Sequence, residues 1–330
     1  MPSVTMKDIA KKLNISTVSV SKALNNKEGV GADLRQTILD TAAEMGYKLK
    51  KNIQSTKKSR LIGIVIAKHF LSPSPSFYWS LYEQVVQALR IRNYHSILEI
   101  VSLDENSGAP GFLSRDDLDA IVVVGYVGTT YMKKLEAYGI PLIMLDFFNE
   151  KIHGMGITPD NSNSTYQITN YLIESGHRKI GYVGNIMAMP QIMDRYLGYY
   201  RAMLLNHIEL NKEWVLDDRD ENMTLYEEFV LPQEMPTAFV CNSDQVAYRF
   251  VDYLIKKGYR VPEDVSVVGF YDYAYAQLCH PPLTTMHIDM PEMAEIAADV
   301  LYKRIELHTS PSNIIQVYGK IVKRDSVKSI

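Results

Sequence analysis

Residues 4–25 read as two short helices joined by a tight turn, and this pattern constrains the fold more than any other part of the chain. Thr5 is placed to cap the first helix, and Asp8 three residues later completes a weak relative of the capping box. Ile9 and Leu13 then fall on one helical face, which predicts a buried side and a lysine-rich exposed side.

The second helix is predicted to start at Ser16, because Asn14 ends the first one and Ser is a favoured cap. Val20 and Leu24 are spaced to pack inward. The outward residues are small or able to hydrogen-bond: Thr17, Val18, Ser21 and Lys22. Small side chains at the start of a helix let its backbone approach base edges, so this helix suits the major groove of DNA.

A third helix is predicted over residues 33–45, where Leu34, Ile38 and Ala42 recur at intervals of four before Gly46. Three short helices with one apolar face each can share a small core. The sequence therefore predicts an all-α head over residues 1–47.

Residues 4–10 and 15–25 together resemble the start of the lactose-repressor (LacI/GalR) family, Val-Thr-Leu-x-Asp-Val-Ala followed by Val-Ser-x-x-Thr-Val-Ser-Arg-Val-Leu-Asn. Ser19 stands where the family usually has Thr, and Lys22 where it usually has Arg, which gives a less directional contact. The resemblance implies that Thr17, Val18 and Lys22 face base edges. It also implies that a second group holds phosphates or the turn: Thr5, Ser16, Ser19, Ser21 and Asn25. The alternative for Ser19 and Ser21 is that they only satisfy local backbone groups.

The charge distribution agrees with a DNA-binding head. Residues 1–60 hold 12 Lys and Arg against 5 Asp and Glu, a balance of +7, whereas the whole chain carries −3. The remaining residues are therefore acidic. A basic head gains free energy by displacing counterions from phosphates, although a solvated lysine-rich face has the same composition.

Residues 48–60 are polar and basic and are predicted to be a hinge or linker. In the family the corresponding stretch forms a short helix on operator DNA and places a Leu in the minor groove. This chain lacks the Pro-Asn and Ala-Arg of that pattern. Ile53 is its one apolar candidate for the minor groove, and Lys50 and Lys51 are candidates for phosphate contacts, so both a folded and an unfolded hinge stay open.

Residues 61–330 alternate apolar runs with amphipathic segments, which predicts parallel sheets covered by helices. Two such series follow one another, so we expect an α/β body of two doubly wound lobes with a cleft between them. Strands are predicted at 61–67, 96–101, 120–126, 141–147, 179–185, 237–244 and 265–272, and helices at 77–92, 113–118, 131–138, 166–175, 195–206 and 246–258.

Motifs of the body extend the resemblance over nearly the whole chain, among them Arg195-x-x-Gly198 and Pro282-Leu-Thr-Thr. They imply a fold similar to sugar-binding periplasmic proteins. The chain is then expected to cross between lobes near residues 160, 289 and 316. Lobe 1 would contain about 61–159 and 289–316, and lobe 2 about 160–288 and 317–330.

Candidate effector-binding residues lie where predicted strands end, since ligands of such sheets bind beyond the carboxyl ends of the strands. They are Phe77, Tyr78, Tyr126, Asp146, Arg195, Asn242, Asp244, Tyr271 and Asp272. Arg195 can fork two hydrogen bonds to a hydroxyl or a carboxylate, and the aromatic pair suits the apolar face of a sugar or a base. For Asn242 and Asp244 a structural role in bracing the loop is the alternative. Tyr271 departs from the family, which usually has Asp there, so the effectors of other members cannot be transferred to this chain.

Several protein classes are disfavoured by the sequence. No apolar run reaches the roughly 20 residues of a membrane span, and residues 1–12 lack the apolar stretch of a signal peptide. No catalytic motif is found, and Cys241 and Cys279 lack metal-type spacing. Residues 218–222 begin like a calcium loop but lack its glycine and final Glu, so a solvated loop is predicted there. We therefore expect no cofactor, no metal and no enzymatic activity.

The sequence thus predicts a ligand-responsive transcription regulator, more specifically a repressor. Its predicted partners are a pseudo-palindromic DNA operator, a sugar-like effector and a second copy of the chain, with a tetramer also possible. A cytoplasmic location is expected. The alternative is a small-molecule binding protein whose head lacks operator activity.

Overall fold

A computed structural model describes residues 4–24, 29–45, 47, 59–71, 76–102, 111–115, 117–309 and 313–330. The chain divides into two units, Met1–Ser59 and Arg60–Ile330. Of the predicted linker, only residues 59 and 60 are described. Arg60 is the first residue of a strand rather than part of the linker, and its guanidinium pairs with Asp119 and Glu306.

Three helices form the first unit: α1 (Met6–Leu13), α2 (Thr17–Leu24) and α3 (Ala32–Glu44). Their core contains fully buried Ile9, Val20 and Ile38, one from each helix. Leu34 departs from the prediction, because its side chain is 40% exposed. The spacing of four therefore placed Ile38 correctly but not the residue one turn before it.

The first lobe of Arg60–Ile330 contains a six-stranded parallel sheet in the order β11-β5-β4-β3-β1-β2. Its strands are β1 (Arg60–Ala67), β2 (Tyr94–Val101), β3 (Ala120–Val124), β4 (Leu142–Leu145), β5 (Met155–Pro159) and β11 (Ile314–Val317). The central strands are buried over almost their whole length, as a sheet with helices on both faces requires.

Helices α4 (Phe77–Ile91), α5 (Thr129–Glu136) and α10 (Met290–Glu306) belong to this lobe. The described residues 111–115 and 117–118 do not contain the helix predicted at 113–118. Instead, one 3-10 turn covers Gly111–Ser114 and buries Phe112 and Leu113. Two adjacent apolar residues can be buried in a single turn, but they are too few to stabilise a longer helix.

The second lobe holds a six-stranded sheet in the order β12-β10-β9-β8-β6-β7, parallel except for antiparallel β12. Its strands are β6 (Ile180–Val183), β7 (Val215–Leu216), β8 (Ala238–Cys241), β9 (Ser266–Tyr271), β10 (Thr284–His287) and β12 (Lys320–Val322). Its helices are α6 (Asn161–Glu174), α7 (Pro190–Leu205), α8 (Asp244–Lys256) and α9 (Ala274–Leu278). The predicted class, a helical head with two doubly wound α/β lobes, is confirmed.

The chain passes between the two sheets after β5, after β10 and after β11. Helices α6 and α7 begin about five residues earlier than predicted, because Asp160 caps α6 and Pro190 opens α7. The two helices approach closely at Gly198, where an added Cβ would lie 2.2 Å from the carbonyl oxygen of Ser162. Within the described part of the chain, no helix is long and apolar enough to span a membrane.

Candidate functional site

The start of α1 is fixed by Thr5 and Asp8. The Asp8 carboxylate accepts hydrogen bonds from the backbone N–H of Thr5 at 2.8 Å and from its hydroxyl at 2.6 Å. These bonds lower the pKa of Asp8 below its usual value. Asn14 ends the helix, as predicted, and it adopts the left-handed conformation there.

The start of α2 is fixed by Ser16, whose hydroxyl accepts a hydrogen bond from the backbone N–H of Ser19 at 3.0 Å. The two hydroxyls are also 2.9 Å apart. The hydroxyls of Ser16 and Ser19 therefore have each other as local partners. Their contacts with phosphates stay a prediction.

The outer face of α2 presents the residues that the sequence singled out. Thr17 is exposed, and the Val18 side chain is 62% exposed although it is apolar. Ser21 and Lys22 are half-buried. An exposed Val on a surface helix has no role in the core, but it matches the apolar contact that a thymine methyl requires. Asn25, Lys50, Lys51 and Ile53 lie outside the described residues.

A cleft of about 350 Å³ lies between the two lobes of Arg60–Ile330. Five of the nine predicted effector residues line it: Phe77, Tyr78, Arg195, Asn242 and Tyr271. Asp146 lies directly behind them, since its carboxylate accepts hydrogen bonds from the hydroxyls of Tyr78 and Tyr271.

Arg195 is the central cation of the inner cleft and is only 2% exposed. Its Nε donates to Oδ1 of Asn161 at 2.8 Å, one Nη donates to the carbonyl of Asn242 at 2.6 Å, and the other donates to the Tyr271 hydroxyl at 2.5 Å. Its guanidinium also lies 4.1 Å from the ring centre of Phe270. The structure thus commits Arg195 to protein partners.

Tyr271 occupies the position where the family usually has Asp. Its ring packs 3.9 Å from that of Phe77, and its hydroxyl donates to Asp146 at 3.0 Å while accepting from Arg195. Burial raises the pKa of the Tyr271 phenol, so the hydroxyl keeps its proton. Tyr271 and Asp146 both adopt positive φ, +100° and +70°. Such backbone is strained for residues other than Gly and is concentrated at functional sites.

The remaining three predicted effector residues, Asp244, Asp272 and Tyr126, do not line the cleft. Asp244 is fully buried at the start of α8, where its carboxyl accepts hydrogen bonds from Thr285 and from the backbone of Tyr273. Burial raises the pKa of Asp244 to about 8. Asp272 bonds His287 and Arg324, and Tyr126 packs edge-on against Phe147. These three residues brace loops and do not line the cleft.

The cleft lining also includes residues that were not predicted, among them His69, Gln191, Arg219 and Arg249. The position of Gln191 in the cleft could have been predicted, because Gln191 lies one helical turn before Arg195 on α7. Arg219 belongs to the run 218–222, which was predicted to be a solvated loop. That prediction is wrong for Asp218, which is 1% exposed and pairs with Arg219.

Comparison with known proteins agrees with this architecture. The family model for bacterial regulatory proteins of the lacI family matches residues 5–49. The family model for the periplasmic binding protein-like domain matches residues 169–327. The chain belongs to the LacI family of bacterial regulatory proteins. Members of this family are regulators, so the chain is a regulator and not an enzyme.

Relatives that match along almost the whole chain are named as transcriptional repressors. The HTH-type transcriptional repressor PurR of Pasteurella multocida is 27% identical over 338 residues, covering 98% of this chain and 99% of that protein. The probable HTH-type transcriptional repressor ExuR of Bacillus subtilis is 27% identical over 345 residues, covering 99% of both.

Solved structures share the fold at lower identity. A lac repressor dimer bound to operator and the anti-inducer ONPF matches with a TM-score of 0.66 and 19% identity, over 99% of this chain and 100% of that one. A complex of the transcriptional regulator CelR with cellobiose matches with a TM-score of 0.67 and 20% identity, over 98% and 99%.

Proposed function

We propose that this LacI-family regulator is a transcriptional repressor that binds a pseudo-palindromic operator as a homodimer. The observation that carries the proposal is the outer face of α2, where Thr17 and exposed Val18 stand beside Lys22. Helix α2 is the second of two short helices meeting at a turn, which is the element that enters the major groove in helix-turn-helix proteins. Two copies related by a two-fold axis would read two half-sites.

The cleft between the lobes is the proposed effector site, with lobe 1 at about 61–159 and 289–316 and lobe 2 at about 160–288 and 317–330. Its position beyond the carboxyl ends of parallel strands supports this assignment. A sugar or sugar derivative is the proposed effector class, since aromatic rings and hydrogen-bonding groups line the same cleft. An effector changes operator affinity only as far as it binds the two forms of the repressor with different affinity.

Binding to chromosomal DNA implies that the protein works in the cytoplasm. A dimer is the smallest assembly that satisfies a two-fold operator, and mass measurement of the purified full chain distinguishes it from a tetramer.

Selection from random-sequence duplexes tests the proposed function. The full chain is expected to enrich a pseudo-palindromic sequence, and a variant with Thr17, Val18 and Lys22 all changed to Ala is expected to lose this enrichment. Failure of the wild-type chain to enrich any sequence at low salt would contradict operator binding.

A further inference from the structure

The residues that line the cleft form two groups that differ in their charged side chains. The inner part is lined by buried groups, among them Phe77, Arg195 and Tyr271. The other part, which we call the cleft mouth, is lined by His69, Arg219, Glu227 and Arg249. His69 comes from the turn after β1 in lobe 1, and the other three come from lobe 2.

Among the described residues of the inner part, the charged group that lines the cleft is Arg195, and it is already engaged by the protein. All three guanidinium nitrogens of Arg195 have protein partners, and the Tyr271 hydroxyl lies between Arg195 and Asp146. The Tyr271 ring packs against Phe77 and so covers the aromatic face that a ligand ring could otherwise contact. A charged effector is therefore directed to the mouth.

Arg219 lines the cleft mouth, whereas its counterion, Asp218, does not. The Asp218 carboxylate is 1% exposed, does not line the cleft, and accepts hydrogen bonds from Asn185, Asn242 and Arg219. Burial raises the pKa of Asp218, but the charge and hydrogen bonds of Arg219 outweigh burial, so the pKa is lowered. Arg219 uses only Nε and one Nη for this pair. Its Nη1 has no partner within the described part of the chain.

Arg249, on α8, has a partner that a ligand can replace. Its side chain is 17% exposed, and it pairs with Glu227, whose side chain is 80% exposed. A surface ion pair of this kind contributes little to stability. An incoming anion can therefore take the place of the Glu227 carboxylate at small cost.

Two buried polar atoms of residues that line the cleft have no hydrogen-bond partner within the described part of the chain. Gln191 is only 3% exposed, and neither its Oε1 nor Nε2 of His69 has a partner among the described residues. Burial, and next the charge of Arg219, lower the pKa of His69 to about 4, so His69 is neutral near pH 7. A buried carbonyl oxygen without a partner is costly, and a ligand hydroxyl would satisfy it.

We propose that the effector is a small polyhydroxylated anion whose carboxylate or phosphate binds Arg219 and Arg249 at the cleft mouth and whose hydroxyls bond Gln191 and His69. The inference rests on the proposed function, in which this cleft is the effector site. Two guanidinium groups supply paired donors in the geometry that carboxylates and phosphates accept.

Matched pairs of probes that differ by one charged group test the proposal without DNA. D-gluconate against sorbitol tests a carboxylate, and D-glucose 6-phosphate against D-glucose tests a phosphate. Thermal shift and calorimetry on the full chain are expected to show at least about tenfold tighter binding of the charged member of one pair, as charge-assisted hydrogen bonds imply. Equal binding within both pairs, or no binding of either anion at millimolar concentration, overturns the proposal.

Three variants locate the anion. Arg249→Gln is expected to weaken binding of the anion about tenfold, while Lys256→Gln removes one charge from the exposed side of the same helix and leaves binding unchanged. Glu227→Gln removes the competing carboxylate and is expected to tighten binding severalfold. An anion that binds the Arg249→Gln and Glu227→Gln variants as it binds the wild type overturns the proposed site. Because DNA is absent, failure of the effector assignment is distinct from failure of operator binding.

Discussion

The Tyr271 hydroxyl donates a 3.0 Å hydrogen bond to the Asp146 carboxylate, and this bond joins the end of β9 in lobe 2 to the residue that follows β4 in lobe 1. Burial raises the pKa of Asp146, and the charge of Arg195 offsets part of the rise. A tyrosine in this position therefore supplies, from within the chain, a hydroxyl that bridges the two lobes. The approach of the lobes does not depend on an effector hydroxyl at this point.

Tyr271→Phe removes this bridge and keeps the ring that packs on Phe77. Asp146 then loses one of its two tyrosine donors, and we expect a loss of about 1 to 3 kcal/mol in the free energy of unfolding. Chemical denaturation of the full chain measures it. Tyr273→Phe is the control, because Tyr273 also lines the cleft but is not among the described partners of Asp146. Equal stability of Tyr271→Phe and the wild type would show that the bridge contributes nothing.

Val18→Ala shortens the exposed apolar side chain of α2. Loss of an apolar contact with a base is expected to weaken operator binding by about 1 kcal/mol, or about fivefold, with no change in the salt dependence. Fluorescence anisotropy with the selected duplex measures both quantities. Leu34→Ala alters another exposed apolar residue of the same unit and is expected to leave binding intact. Equal losses in the two variants would remove Val18 from the DNA interface.

Gly198→Ala tests the close approach of α6 and α7. The added methyl would meet the Ser162 carbonyl oxygen at 2.2 Å, so the helices must separate. We expect a loss of about 1 to 3 kcal/mol in the free energy of unfolding, as overpacked cores show. Gly128→Ala is the matched control, since its methyl would meet no atom within 4 Å. A Gly198→Ala variant as stable as the control would contradict the described packing.

Asp244→Asn tests the buried carboxyl at the start of α8. The folded pKa of Asp244 is about 8, against an ordinary value of 3.8, so between these pH values the folded state holds a proton that the unfolded state has lost. Stability due to this group therefore falls as pH rises, with a slope of about 1.4 kcal/mol per pH unit.

The Asn variant is expected to lack this slope between about pH 4 and pH 8 in unfolding experiments at graded pH. Asp252→Asn, which alters an exposed carboxylate on the same helix, is expected to keep the wild-type slope. Parallel pH profiles of the wild type and the Asp244→Asn variant would exclude an elevated pKa.

The helical head was predictable because its signals are local. Caps at Thr5 and Ser16 and the burial of Ile9 and Val20 follow from neighbours within one or two turns. Leu34 shows where such reasoning fails, because helical period identifies a face but not how far the partner helices extend over it.

The cleft was predictable only in part, because its residues come from distant segments. Strand ends and family resemblance located Arg195 and Tyr271, but the contact of Tyr271 with Asp146 joins positions 125 residues apart. Arg219 and Arg249 lie on a loop and a helix that no sequence pattern brings together. Asp244 and Asp272 also stand at strand ends, yet their carboxyls bond groups of their own lobe.

Titration of a duplex recovered by selection with the full wild-type chain, at several salt concentrations, tests operator binding most directly. We expect the dissociation constant to rise steeply with salt, as phosphate contacts require, and to be at least about a thousandfold lower for the selected duplex than for a scrambled one at equal salt. Equal affinity for the two duplexes would contradict contacts between the helical head and base edges. Binding that does not respond to salt would contradict its contacts with phosphates.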